Sequence, residues 1–478
     1  MQARLASSAD LEGKALPISD RAVEVIKPLA TAPNASVAAR RAYGEALNMN
    51  GYLKMTNDQN EAAVATLDEA RATLRSIDGL QMTDLASAAA YAEATSWQVQ
   101  AWSALGRGDE AKRSGKEGTG VAAQVLEKRP GHMQALRAQA LTTSPLSNIL
   151  LDEMRLSEAL AMANTTSRAW REFVRLDPGN TISWSNLGVA YLIKQFIQQE
   201  MGRPADAAEA LRTALDLERE APPNPLLYNN LAFLAGRLAV LEASRGNAAQ
   251  SAEALAVSTR LSKWLADNAP PGSFVKASRA IFPEALRVYV SPYLGDDQRT
   301  LDLGRAVVPK LEKLQAVDVP QRQLQANVLR GVHFSTATSA YALKDYATAE
   351  REMTQVLELR KQVPTRTTSD KREAAFEQMI AALTLARLNR QEDAQKLIAP
   401  ALKYERELSP LNHDDPFQRL ELAIALYVAT ISGIGDPASQ LAEANALMEK
   451  FPPEMRRLKD VAIWQERIAE ERSRRRPS

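Results

Sequence analysis

The tetrapeptide Ala-Glu-Ala-Leu occurs at 208–211 and again at 252–255, and the same 44-residue offset relates Leu187 to Leu231 and Gly202 to Gly246. A fixed offset that carries both an apolar and a turn residue marks an internal repeat. A repeat of this length cannot bury an apolar face alone, so it folds by stacking on its neighbours. The chain therefore reads as a repeat array before any other feature is weighed.

The first copy spans Asp177 to Leu217. It opens with the helix stop and turn Asp177-Pro178-Gly179-Asn180 and continues Trp184-Ser185-Asn186-Leu187-Gly188-Val189-Ala190-Tyr191. After a break at Gly202-Arg203-Pro204 it resumes through Ala207, Ala208 and Leu211 to Leu217. The order W-x2-L-G-x2-Y, a turn and an alanine-rich helix resembles the tetratricopeptide repeat (TPR). The resemblance implies an all-α fold, a TPR-like α-α superhelical solenoid of stacked helical hairpins. It also implies repeat-core roles for Trp184, Leu187, Gly188 and Tyr191, and for Tyr228 and Leu231 of the next copy. Both copies depart from the family in one respect. Tyr191 to Gly202 and Ala235 to Gly246 are each eleven residues, against about four in an ordinary repeat. Seven additional residues are close to two helical turns, so the apolar face keeps its phase and the first helices lengthen to about 30 Å.

The rest of the chain carries weaker copies. Ser36–Met55 and Gln59–Ile77 read as a hairpin, with Ala63 and Ala70 as the small residues that let paired helices approach. Gly115 and Gly118 are expected to interrupt the next unit, and Thr142-Thr143-Ser144-Pro145 to cut the one after. Residues 269–300, with Pro270, Pro271, Pro283 and Pro292, read as an irregular connector in which Val288-Tyr289-Val290 is a conceivable strand. The expected domains are accordingly an N-terminal stack over 1–268, the connector over 269–300, and a C-terminal stack over 301–478 closed by a charged capping helix.

Composition removes several function classes. The chain has 59 basic and 58 acidic residues in 478, so no whole-chain field favours nucleic acid. It has no cysteine, which excludes thiolate chemistry and cysteine zinc sites. Its longest low-charge run, Leu422 to Gly435, falls short of the roughly 20 residues a bilayer requires, and residues 1–20 lack the pattern of a signal peptide. A soluble protein is expected, with the cytoplasm favoured over the periplasm.

Three histidines, His132, His333 and His413, stand outside any Glu-x-x-His or His-Glu-x-x-His spacing. His413-Asp414-Asp415 reads as a loop before the helix that Pro416 starts. Phosphate-loop and nucleophile-elbow motifs are missing, and no cofactor or metal is expected. The expectation is a non-enzymatic scaffold that binds a protein or peptide partner in its concave groove. The alternative is a helical regulatory or sensor region of a larger signalling protein of kinase or transcription-regulator type. Asn186 and Asn230 occupy equivalent places two residues after Trp184 and Tyr228, where an amide can donate to and accept from a peptide backbone. Arg237 and Arg387 lie late in first helices, where a guanidinium can meet a carboxylate. Ser185 and Val189 stand where the family's clamp for a C-terminal carboxylate has lysine and asparagine, which argues against a chaperone-tail receptor.

Overall fold

Nine helical pairs account for most of the described residues, and their first helices begin at Val37, Leu85, Met133, Thr181, Pro225, Phe274, Val319, Thr368 and Pro416. The first three intervals are 48 residues each and the later ones 44 to 49. The computed structural model describes residues 12–411 and 415–475, apart from the side chains of 12–14 and 411, and contains no strand among them. The sequence discloses only the 44-residue step. The 48-residue register that precedes it is carried by geometry, because equivalent positions hold different residues.

Two local devices set this register. The first is the N-cap of each first helix. Ser36, Asp84, His132, Asn180, Asn224, Ser273, Asp318, Thr367 and Asp415 each accept a backbone N–H through the side chain. Each satisfies a donor that the helix start leaves unpaired. The second device is the turn inside the pair. Asp58, Gly106, Met154, Gly202, Gly246, Lys344 and Asn389 each take a left-handed φ between 58° and 82° at the middle of a three-residue turn. The following N–H then reaches back five residues, as in Gln59 to the Lys54 carbonyl at 2.9 Å and Asn247 to that of Glu242 at 2.8 Å. This is the Schellman closure, and it reverses the chain in a fixed way whatever side chain occupies the turn.

Several sequence expectations are corrected. Helix Gly108–Lys128 runs unbroken through Gly115 and Gly118. A Cβ on those glycines would lie 2.6 Å from Leu146 and 2.7 Å from Thr95, so they admit neighbouring side chains rather than end the helix. Helix Met133–Asp152 continues through Pro145, so its buried face outweighs the roughly 3 kcal/mol that an interior proline costs. The segment expected as an irregular connector holds helix Phe274–Val290, a 3-10 turn Ser291–Leu294 and the start of Asp297–Glu312, which together form a further pair. Val288, Tyr289 and Val290 are helical. Prolines near helix starts and one tolerated inside, Pro283, produced the broken appearance.

The chain divides into two compact units, one ending at Ile193 and the other beginning at Lys194 within helix Thr181–Glu200. In the first unit the core is built from small residues, Ala88, Ala89, Ala90, Ala92, Ala122 and Ala135, around Leu74 and Tyr91. In the second it is larger and centres on Met379, Ile380, Leu422–Val428 and Trp464. Helix Lys459–Arg474 covers the last pair, with Val461, Trp464 and Ile468 buried beneath it.

Within each unit, first helices of successive pairs touch one another, as Leu85–Ala104 does on both sides and Val319–Ala342 does with Phe274–Val290. The second helices of successive pairs do not pack to a comparable degree. A stack in which only one layer closes up curves toward that layer, so the first helices line the inner face.

Candidate binding surface

Helix Pro225–Ser244 begins under the Asn224 cap, with Pro225 in the first turn where its missing N–H costs nothing. Leu227, Leu231, Leu234 and Leu238 face the core. At 100° per residue, Leu226, Asn230, Phe233 and Arg237 fall within about 60° of arc, centred roughly a quarter turn away from those leucines. Two of them are large apolar residues left in solvent, Leu226 at 60% and Phe233 at 50% exposure. Asn230 is half-buried on the same stripe. Helix Thr181–Glu200 repeats the opening of the pattern 44 residues earlier, with Ile182 58% exposed and Asn186 half-buried four residues on.

Arg237 anchors the end of the stripe. Its Nε donates to Gln195 Oε1 at 2.9 Å, its Nη2 to Gln199 Oε1 at 3.2 Å, and its guanidinium lies 4.0 Å above the Phe196 ring. It retains some exposed surface although protein surrounds it closely, the mark of a side chain in a recess. Burial pushes its pKa down to about 10, against the pull of Glu200 and Glu373. One pair further on, Arg279 donates to Asn229 Oδ1 and stacks 5.2 Å from the Phe282 ring, and burial lowers its pKa as well. The two first helices approach closely at Gly236, where a Cβ would lie 2.9 Å from Leu286.

Arg387 lies further along the same layer of the second unit. Its Nε donates to the Tyr341 hydroxyl at 3.2 Å and its Nη2 to that of Tyr427 at 3.3 Å, so it ties three successive first helices together. Burial opposes its charge, but the hydrogen bond to Tyr341 carries its pKa above the usual value. Arg467 of the capping helix stacks 4.9 Å from the Tyr341 ring and 4.7 Å from that of Trp464.

The repeat-core residues occupy the interior. Leu187 and Leu231 are fully buried, and Trp184, Gly188, Tyr191 and Tyr228 are buried as well. The Trp184 indole donates to the Pro178 carbonyl at 2.9 Å, fixing the turn before its own helix. Tyr228 meets Trp264 edge-on at 4.7 Å.

The histidines have structural partners. His132 is the cap described above, and burial lowers its pKa. His333 is buried, with Nδ1 2.7 Å from Glu352 Oε2. His413 and Asp414 lie outside the described residues, while Asp415 caps helix Pro416–Ile431. No group of three or more metal-ligating side chains occurs among the described residues. No described helix is long and apolar enough to cross a membrane.

A cluster of buried charge surrounds Arg372. It reaches Glu200 and Glu421 at 2.6 Å and Asp415 at 3.3 Å. Close by, Arg330 and Arg360 share Glu373 and Glu377.

Sequence reasoning singled out Asn186, Asn230, Arg237 and Arg387 and missed Leu226, Phe233, Arg279 and Arg467. The signal for Leu226 was present, while Phe233 had none, since its counterpart 44 residues earlier is Val189. Ile182 and Leu226 are offset by 44 and each stands four residues before its asparagine, at a place the core pattern does not use. Arg279 and Arg467 had none, since one lay in the supposed connector and the other in the supposed cap.

No protein-family model matches the chain, and no curated protein matches it. Similar solved structures are helical repeat proteins. BtubC from P. vanneervenii is 15% identical with a TM-score of 0.39, covering 53% of this chain and 92% of its own. A chain of the APC/C hetero-tetramer Cut9-Hcn1 is 12% identical with a TM-score of 0.36, covering 96% and 95%. Human IFIT1, crystallised as a dimer with PPP-AAAA, is 10% identical with a TM-score of 0.33, covering 95% and 94%. Among the described residues the chain is an array of helical pairs with 20-residue first helices in six of nine repeats, and its first-helix layer presents the Leu226–Arg237 stripe.

Proposed function

We propose that this helical repeat scaffold is non-enzymatic and holds an extended segment of a protein partner along its first-helix face. The observation that carries the reading is the stripe on Pro225–Ser244. Two large apolar side chains stay half exposed there beside an asparagine amide and an arginine seated in a recess. An extended peptide uses such a surface fully: its apolar side chains cover Leu226 and Phe233, and its backbone pairs with the amide. Stacked pairs present this surface already formed, so binding does not first have to order the receptor. Three acids with raised pKa, Glu405, Asp415 and Glu421, crowd around Arg372 as packing, and a fourth, Asp460, accepts from Ser244, which favours a binding role over catalysis.

The test is affinity capture from a native lysate with wild type and the Asn186→Ala/Asn230→Ala/Arg237→Ala variant side by side. Loss of a captured protein with helicity unchanged supports the first-helix face. Equal capture by both proteins places the interface elsewhere.

A further inference from the structure

We infer that the segment held on the second unit's first-helix face is acidic, with one carboxylate seated at Arg237, another at Arg279, and an apolar residue between them over Phe233. This rests on the reading above and adds the chemistry of the partner.

The first argument is a contrast among arginines of one unit. Arg212 and Arg245 pair with Glu242, Arg330 and Arg360 with Glu373 and Glu377, and Arg372 with Glu200, Asp415 and Glu421. Arg237 and Arg279 depart from that pattern. Their partners are the neutral amide oxygens of Gln195, Gln199 and Asn229 and the rings of Phe196 and Phe282. The two acids whose field reaches Arg237 are committed elsewhere, Glu200 to Arg372 and Glu373 to Arg330 and Arg360. Amide oxygens orient a guanidinium without neutralising it, and a desolvated cation left in that state favours an incoming anion. The downward pKa shifts of both arginines agree with this.

The second argument is spacing. Arg279 meets helix Pro225–Ser244 at Asn229, eight residues from Arg237, which is about 12 Å along the helix. An extended chain advances about 3.3 Å per residue, so carboxylates four residues apart span that distance. Phe233 lies midway, half exposed and ready to cover one apolar side chain. The geometry fits Glu-x-x-x-Glu with an apolar central residue, recognised by amide donors and two partly pre-oriented guanidiniums.

The experiment pans a display library of random peptides about twelve residues long against the full chain. The most enriched peptide is then resynthesised with each acid changed to its amide. The expected result is enrichment of acid pairs four apart flanking an apolar residue, and about ten-fold or greater weakening for each acid removed. Arg237→Met/Arg279→Met should lose the acidic preference while keeping the wild-type melting temperature. Should that variant misfold, the acid-to-amide peptides still decide the matter on the unaltered protein. Enrichment of peptides without acids would overturn the inference and leave the peptide-binding reading standing. No enrichment at all would overturn both. Displacement of the acidic peptide by a single-stranded oligothymidylate that binds more tightly would assign the two arginines to phosphates and also overturn it.

Discussion

Arg372 and Glu200 lie 172 residues apart in the chain and meet at 2.6 Å. The second unit thus brings its first helical segment against a late one through a guanidinium that is itself 6% exposed and also holds Glu421 and Asp415. The carboxylates hold the arginine's pKa well above its usual value despite the burial that opposes its charge. Removing Arg372 leaves three acids facing one another. Arg372→Met is expected to cost about 3–5 kcal/mol of unfolding free energy. Arg390→Met, whose arginine is half exposed on Glu350 and Asp393, should cost far less, because solvent screens an exposed pair. Paired urea denaturation curves check the contrast, and equal losses would contradict it.

The same cluster sets a pH dependence. Burial pushes Glu405 up to about 8 and Asp415 up to about 7, and raises Glu421 as well. The groups facing them are Arg372, Glu200 and the Gln418 amide, which donates to Glu405 at 3.3 Å. Unfolded carboxyls titrate near 4, so each of these acids favours the folded state when protonated. Their contribution is neutral below about pH 4 and becomes a growing penalty as pH rises to about 8. Acids whose pKa is lowered, such as Glu352 and Asp370, act in the other direction and lose their contribution only below their unfolded value. Thermal unfolding should therefore be highest between about pH 4.5 and 6 and fall toward pH 8.5, by an amount on the order of a few kcal/mol. A midpoint that rises from pH 5.5 to 8.5 would contradict this account.

Gly202 and Gly246 occupy equivalent turns with φ of 67° and 82°. A Cβ at Gly246 meets open space, while one at Gly202 overlaps the Pro416 ring and lies 3.2 Å from Met455. Both alanine variants carry the left-handed backbone cost of about 1–2 kcal/mol. Gly202→Ala should lose at least about 1 kcal/mol more, because it also pushes two parts of the second unit apart. Similar melting temperatures for the two would refute the close contact.

Lys344 holds a left-handed φ of 63° in an exposed turn. Lys344→Gly relieves that strain and is expected to stabilise by roughly 1 kcal/mol, read as a higher midpoint in denaturant. A loss would show that the lysine side chain holds the turn.

The helical class and the lengthened first helices were legible because Trp184, Leu187, Tyr191 and their 44-residue echoes are core residues, and the core constrains identity. The 48-residue register was not, since the features that carry it tolerate substitution. A left-handed turn is filled by Asp58, Met154, Lys344 or Asn389 as well as by glycine, and the cap by serine, histidine or aspartate. Gly115, Gly118 and Pro145 were read as breakers because their local propensities oppose a helix. In the fold, contacts from Leu146 and Thr95 require the two glycines, and tertiary packing carries the proline. Arg237 and Arg387 could be placed on first helices from spacing alone. Their amide, aromatic and phenol partners come from neighbouring repeats and could not.

The central claim is that a partner lies on the first helices, and a photo-crosslinker tests it directly. A benzophenone side chain placed at Phe233, half exposed on the inner layer, is compared with one at Glu253, exposed on the second helix of the same pair. The account predicts a covalent adduct with a protein from native lysate at position 233 and none at 253. An adduct at 253 with none at 233 would contradict it.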